Sequence, residues 1–216
     1  EIVPDLAAAL PQRSEGGLAY TFHLRPGIRY SNGKPLRAED FRRALEREFT
    51  LNGWDAPALA RIVGASRCKP HRRCDLSRGV IVNGALELTL RLTAPDPTLL
   101  YDLAPIAPVP AGTPLTDVGS KPIPSTGPYE IESYKPGRLL TIVRNPYFRL
   151  WSPTARPRGY PDEIVYRTVT NADQAVRDVL SGKADVLTEQ VPSGQVSELS
   201  ARYPNQLHLV SQQATV

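Results

Sequence analysis

The chain has 216 residues, enough to bury a sizeable core as one large domain or two small ones. Its formal net charge is +4 with a pI near 9.2, a mildly basic balance too diffuse to imply nucleic-acid binding without a focused basic stripe. No apolar run approaches the roughly 20 residues a membrane helix needs.

Proline, at 22 residues, is about double its usual share and gathers between 95 and 161. Strands and aromatics are interleaved with it, so ordered, extended connections are expected rather than disorder. No signal-peptide pattern opens the chain. It starts without methionine, inside what reads as a lead-in to a strand, and is expected to be a piece of a longer protein.

Val3-Pro4-Asp5-Leu6-Ala7 runs into a polar, glycine-containing turn at Ser14-Glu15-Gly16-Gly17. From Leu18 the residues alternate, with Leu18, Tyr20, Phe22 and Leu24 on one face and Ala19, Thr21 and His23 on the other. This predicts a half-buried antiparallel strand with His23 exposed. Ser31-Asn32-Gly33-Lys34 reads as a turn. Ala38, Phe41, Ala44, Leu45 and Phe49 then recur at helical spacing, and Glu39 and Asp40 suit the positive end of that helix. Arg37 supplies no side-chain cap, an omission worth about 1 kcal/mol.

The loop Leu51-Asn52-Gly53-Trp54-Asp55 carries a tryptophan that either packs inward or faces a ligand. Cys68 and Cys74 are the only cysteines, and His71 lies between them among Lys69, Arg72 and Arg73. Gly79–Val82, Asn83-Gly84 and the alternating leucines 86, 88, 90 and 92 predict a hairpin with a two-residue turn. Leu99, Leu100 and Leu103 supply a short apolar helix. The proline-rich segment 105–114 reads as a crossing between two units, which places a boundary near residue 107.

Ser125-Thr126-Gly127-Pro128-Tyr129 opens a second hairpin. Its strands are Tyr129–Tyr134 and Leu139–Arg144, its turn is Pro136-Gly137, and Asn145-Pro146 stops it. Ile164 to Val169 alternates as another strand. Thr170 or Asn171 caps a helix with a stripe at Ala172, Ala175, Val176, Val179 and Leu180, which Gly182 ends. Val186-Leu187 reads as a short strand, Ser193 as the cap of a helix to about Tyr203, and Leu207–Val210 as a last strand. This succession implies parallel pairing with crossover helices.

Three separated motifs together resemble the family 5 extracellular solute-binding proteins, the peptide, oligopeptide and nickel receptors of ABC importers. They are Tyr20–Leu36, then Ser125–Tyr129 with Tyr134–Gly137 and Arg144–Phe148, then Ser181–Val186. They occur in the family's order, and the resemblance covers nearly all of the chain. The family usually has Thr or Ser where Arg37 stands, which puts the helix start in question.

The resemblance implies an α/β fold of the type II periplasmic-binding-protein kind: a lobe with a mixed sheet plus a smaller α+β accessory subdomain, as a fragment of a two-lobed receptor. Residues 1–107 would be the accessory subdomain, and 108–216 the principal part of the N-terminal lobe. The opposing lobe, which in peptide receptors pairs with the peptide's amino terminus, would be absent. It further implies non-covalent capture of a peptide or similar small molecule, with ABC transporter permease subunits as partners. Location would be extracellular, in the cell envelope or periplasm, with the membrane reached only through a lipoprotein anchor outside this chain. Candidate ligand-binding residues are Ser125, Thr126, Gly127 and Tyr129, with Trp54 and Tyr30.

In an exported protein the natural reading of Cys68 and Cys74 is a disulfide clipping a loop, with free thiols the alternative. A metal site is disfavoured, because zinc usually needs four ligands and the neighbouring cations would repel it.

Nothing converges as catalytic groups do. His23, His71 and His208 are scattered. No serine sits in a nucleophile elbow, and no glycine-rich phosphate loop follows a strand. Asp173 and Asp178 read as a solvated helix face. An enzyme is therefore not expected, and no cofactor. The basic run Arg67 to Arg78 lacks the interleaved aromatics of a nucleic-acid site. A second reading is a ligand-sensing extracellular domain fused to a regulatory or kinase module, which the flanking sequence would distinguish from an importer receptor.

Overall fold

A computed structural model of the chain describes residues 2–208. The chain divides into two compact units, Glu1–Tyr166 and Arg167–Val216. In the first unit a four-stranded sheet has the order β1-β2-β4-β3, with β1 Gln12–Ser14, β2 Ala19–His23, β3 Val80–Val82 and β4 Glu87–Arg91. Its pairs are all antiparallel. Alternation places Tyr20 and Leu24 from β2 and its extension, with Leu88 and Leu90 from β4, in the core. On the other face Thr21 and Thr89 share a hydroxyl hydrogen bond of 3.0 Å. His23 is exposed as expected and pairs across the strands with Glu87 at 3.1 Å. Strand β1, in a stretch read as lead-in and turn, has too few apolar residues to announce itself.

The β3–β4 loop is longer than the two-residue turn that Asn83-Gly84 suggests, since Asn83 N–H donates to Glu87 O and leaves residues 84–86 as the loop. Tertiary bonds explain the extra length. Ala85 O accepts from Ala38 N–H, and Leu86 O accepts from Leu24 N–H, so this loop joins the helix start to the end of β2.

Helix α1, Ala38–Thr50, buries Ala38, Ala44, Leu45 and Phe49 beneath the sheet residues. Arg37 gives no side-chain cap, but the Asp40 carboxylate accepts Arg37 N–H at 2.8 Å, so the reciprocal half of a capping box remains. A single face of α1 holds residues 111–116. Asp40 accepts Ala111 N–H at 2.8 Å, Arg43 Nε donates to Ala111 O at 2.8 Å, and Arg47 donates to Pro114 O and to Thr116 O. The positions 40, 43 and 47 follow helical spacing, which brings the three to one side. The proline-rich crossing is thus strapped to α1, within the compact unit that runs to Tyr166. Helix α2, Leu99–Leu103, packs Leu99 and Leu103 on the same core.

Cys68 and Cys74 form the disulfide, with Cys74 buried. The second sheet has the order β5-β6-β7: β5 Tyr129–Lys135 and β6 Leu139–Arg144 are antiparallel around the Pro136-Gly137 turn, and β7 is Glu163–Arg167.

In the second unit, helix α3, Ala172–Leu180, is capped by Asn171, whose side chain accepts Gln174 N–H at 3.0 Å. Gly182 follows with a φ of 72°, the left-handed geometry glycine takes without strain. Helix α4 is Ser193–Arg202, with Ser193 inside it and Pro192 at the cap position. Among the described residues no strand follows β7. Val186 is exposed and outside any regular element, and residues 207–208 are not a strand, while Leu209 and Val210 lie outside the described residues. Among the described residues, the parallel pairs inferred from alternating strands and helices after β7 are therefore not seen. A two-residue strand has no stability without a neighbour to complete its ladder.

Candidate functional site

The run Ser125–Tyr129 walls a cavity of about 710 Å³ in the first unit. The rest of the lining is mostly apolar. It includes Leu6 and Leu10 from the lead-in, Phe22 and Leu88 from the sheet, and Ile106 and Val109 from the proline-rich crossing. Asp5 and Arg156 supply charge at its wall.

The loop is shaped from below by Asn145, the residue that ends β6. Its buried amide donates to Gly127 O at 2.8 Å and to Ser125 O at 3.4 Å, while its backbone N–H reaches Pro128 O. The carboxamide oxygen in turn accepts Tyr147 N–H at 2.9 Å. Ser125 O also accepts Ser31 N–H at 2.8 Å, tying the loop to the turn after Tyr30. Asn145-Pro146 therefore does more than stop a strand: it holds the cavity wall.

These bonds decide which polar groups remain for a solute. Ser125 Oγ donates to Tyr129 O at 2.7 Å, and Tyr129 Oη donates to Pro161 O at 2.8 Å. Both hydroxyls are thus already engaged. Arg144 stacks over the Tyr129 ring at 5.4 Å and fans its guanidinium onto the 158–160 carbonyls and Asp162. Thr126 is buried. Gly127 lies against Arg156, where a Cβ would stand 3.3 Å from the arginine's Nη1.

Arg156 pairs with Asp5, its Nε donating to Asp5 Oδ2 at 3.1 Å and its Nη2 to the same oxygen. Trp151 Nε1 donates to Asp5 Oδ1 at 2.8 Å, and Arg25 Nε to Asp5 O at 2.8 Å. Sequence reasoning passed over Asp5, Asn145 and Arg156. Asp5 and Arg156 are 151 residues apart, and nothing local to either points to the other.

Two of the sequence candidates lie elsewhere. Tyr30 is 1% exposed in a small core with Leu6, Ile28 and Leu36, and does not line the cavity. Its hydroxyl makes no hydrogen bond of acceptable geometry. Burial pushes its pKa far up, and the nearby Asp40 charge adds to this; we read Asp40 as a neighbouring charge rather than a bonded acceptor. Asp40 in turn is raised by its own burial, against the opposing pull of the N–H groups it accepts. Trp54 is 99% exposed, neither packed inward nor in the cavity. A glycine-containing loop outside the core gives its indole nothing to pack on. Among the described residues no group of three or more His, Cys, Asp or Glu is placed to hold a metal ion.

The model of the bacterial extracellular solute-binding proteins, family 5, matches residues 1–214. The chain belongs to this family. The probable deoxycholate-binding periplasmic protein YgiS of Escherichia coli is 26% identical over 206 residues, which are 91% of this chain and 37% of that protein. The Escherichia coli murein tripeptide binding protein MppA superposes with a TM-score of 0.75 at 22% identity, covering 95% of this chain and 41% of MppA. NikA from Staphylococcus aureus, solved with Ni(L-His)2, gives a TM-score of 0.66 at 21% identity over 91% of this chain and 37% of its own. The fold is that of the type II periplasmic binding proteins, and the chain spans about two-fifths of the length of these relatives.

Proposed function

We propose that this chain is part of an extracellular or periplasmic receptor that captures a peptide without covalent chemistry and delivers it to the permease subunits of an ABC importer. The observation that carries the reading is the wall Ser125–Tyr129 facing a cavity of about 710 Å³, the size of a small-ligand site, with apolar side chains opposite and Arg156 paired to Asp5 beside it. Apolar bulk of a solute would be taken from water by the leucine, proline and isoleucine lining. With the Ser125 and Tyr129 hydroxyls and Gly127 O engaged, the backbone N–H groups of Thr126 and Gly127 supply the polar contacts to an extended main chain.

A second reading has support in the same lining. A largely apolar cavity with one arginine also suits an amphipathic carboxylate of steroid size, the class named for YgiS. Calorimetry on the full-length protein, with a short-peptide library in one arm and deoxycholate in the other, separates the two. Micromolar peptide binding supports the first reading, deoxycholate binding without peptide binding replaces it with the second, and neither sinks both. The 216-residue chain by itself is expected to bind in the millimolar range or weaker. Each solvent-exposed hydrogen bond contributes only about 1 kcal/mol, against an association cost of several.

A further inference from the structure

Segment 67–78 carries five cations, Arg67, Lys69, Arg72, Arg73 and Arg78, against the single acid Asp75. Its net +4 equals that of the whole chain, so all other residues balance to zero. The charge that reads as diffuse in the composition is therefore concentrated on one surface loop. The disulfide Cys68–Cys74 closes the middle of this loop, and all five cations are exposed. Among the described residues none of the five lies in an ion pair with an acid. Asp75 accepts Ser77 N–H at 2.9 Å, and the Arg73 charge helps hold its carboxyl below the usual range, after the larger effect of the Ser77 bonds. Arg73 also borders a small polar recess containing Glu39 and Glu46, which leaves Arg67, Lys69, Arg72 and Arg78 as the uncompensated set.

The loop is joined to the end of α1 by His71 N–H, which donates to Thr50 O at 2.7 Å. Immediately beyond Thr50 is the loop 51–55 with the fully exposed Trp54. Asp55 is the acid beside it. Glu48 is turned to the backbone, accepting Asp55 N–H at 2.9 Å. The Trp54 indole is wholly in water, on the loop that follows the bonded Thr50, and has no role in the core or in the cavity.

We propose that these two loops form a docking surface for an anionic phospholipid membrane, with Arg67, Lys69, Arg72 and Arg78 meeting the headgroup phosphates and Trp54 entering the interfacial layer. Basic residues near an anionic leaflet are attracted additively, and an amphipathic indole partitions to the headgroup depth. A nucleic acid fits less well, because no aromatic within 67–78 is available to stack with bases. A folded protein partner would call for a well-packed interface core depleted of charge, whereas four unpaired, flexible cations and a single exposed indole suit a fluid anionic surface. The inference is independent of which solute the cavity takes.

The test is partition of the full-length protein onto vesicles of phosphatidylcholine alone and of phosphatidylcholine with one-third phosphatidylglycerol. Binding to the anionic vesicles is expected to be stronger by about tenfold or more at low salt, and to fall towards the neutral-vesicle value at high salt. The triple variant Arg67→Gln, Lys69→Gln, Arg72→Gln should lose about tenfold or more of that binding. Trp54→Ser should retain salt-sensitive binding at reduced strength and lose the blue shift of tryptophan fluorescence seen with anionic vesicles. All four side chains are exposed, so circular dichroism and the thermal midpoint should match the parent. Equal partition onto both vesicle types, or undiminished binding by the triple variant, overturns the proposal. Retention on a polyanion or an acidic protein without vesicle binding overturns the lipid assignment.

Discussion

Trp151 Nε1 donates a 2.8 Å hydrogen bond to Oδ1 of Asp5, a residue 146 positions earlier, while Arg156 engages the other oxygen of the same carboxylate. The lead-in segment is thereby fastened to the stretch after β6, and the cavity wall at Gly127 sits against the same arginine. Asp5→Ala leaves a half-buried indole N–H and a guanidinium without their acceptor. It should lower stability by about 1–3 kcal/mol. Asp5→Asn, which keeps an acceptor for Trp151, should cost less. Urea denaturation of both variants checks the order, and an unchanged midpoint for Asp5→Ala would show that the pairing contributes nothing.

Tyr30→Phe removes a buried hydroxyl that has no hydrogen-bond partner. No bond is lost, and a desolvated polar group is deleted, so stability should stay within about 1 kcal/mol of the parent or rise. Solute affinity of the full-length protein should be unchanged. A tenfold loss of affinity would return Tyr30 to the binding site.

Asp40→Asn separates charge from hydrogen bonding. The carboxylate serves Arg37 N–H with one oxygen and Ala111 N–H with the other, and an amide can keep only one of these. The variant should be less stable at neutral pH by about 1–2 kcal/mol. The pH dependence has a definite sign. Burial raises the Asp40 pKa, so the folded state holds the proton more tightly than the unfolded chain does. Asp40 therefore favours folding most below the ordinary carboxylate pKa of about 3.9, and that contribution is lost as pH rises through the raised folded value. Relative to Asp40→Asn, the parent should gain stability on acidification through this window. Parallel thermal melts from neutral to acidic pH measure it, and a difference that shrinks with acid would contradict the assignment.

Gly159→Ala tests how the Tyr129 ring is held. Gly159 has a φ of 74°, and a Cβ there would stand 2.5 Å from Tyr129 Oη. The variant should lose about 1–3 kcal/mol through backbone strain and overpacking. It should also shift the Tyr129 ring resonances, since the bond to Pro161 O cannot survive the displacement. Unmoved Tyr129 resonances would show that this packing does not position the ring.

Membership of the N-terminal and C-terminal parts in an accessory subdomain and a principal lobe, split near residue 107, stays a proposal. The two sheets do lie on either side of that point, in 12–91 and 129–167, yet the strap of 111–116 on α1 keeps the crossing with the earlier residues. Proline content marks an extended connection. It carries no information about which neighbour the connection packs against.

Periodic and local signals were readable from the chain alone. The alternation of Leu18–Leu24, the helical stripe of Ala38–Phe49, the Pro136-Gly137 hairpin and the Asn171 and Gly182 helix ends each depend on residues within a few positions of one another. The physical preferences of such residues act locally. The ordered motifs around Tyr20–Leu36, Ser125–Tyr129 and Ser181–Val186 carried the family in the same way. Tertiary structure alone decided what faces what. It buried Tyr30, left Trp54 in water, lengthened the Asn83-Gly84 turn to serve Ala38 and Leu24, and gave Val186-Leu187 no strand partner among the described residues. It also joined Asp5 to Arg156 beside Gly127. These outcomes turn on partners distant in sequence, and neither spacing nor propensity at one position encodes the identity of a group brought near it by the rest of the fold.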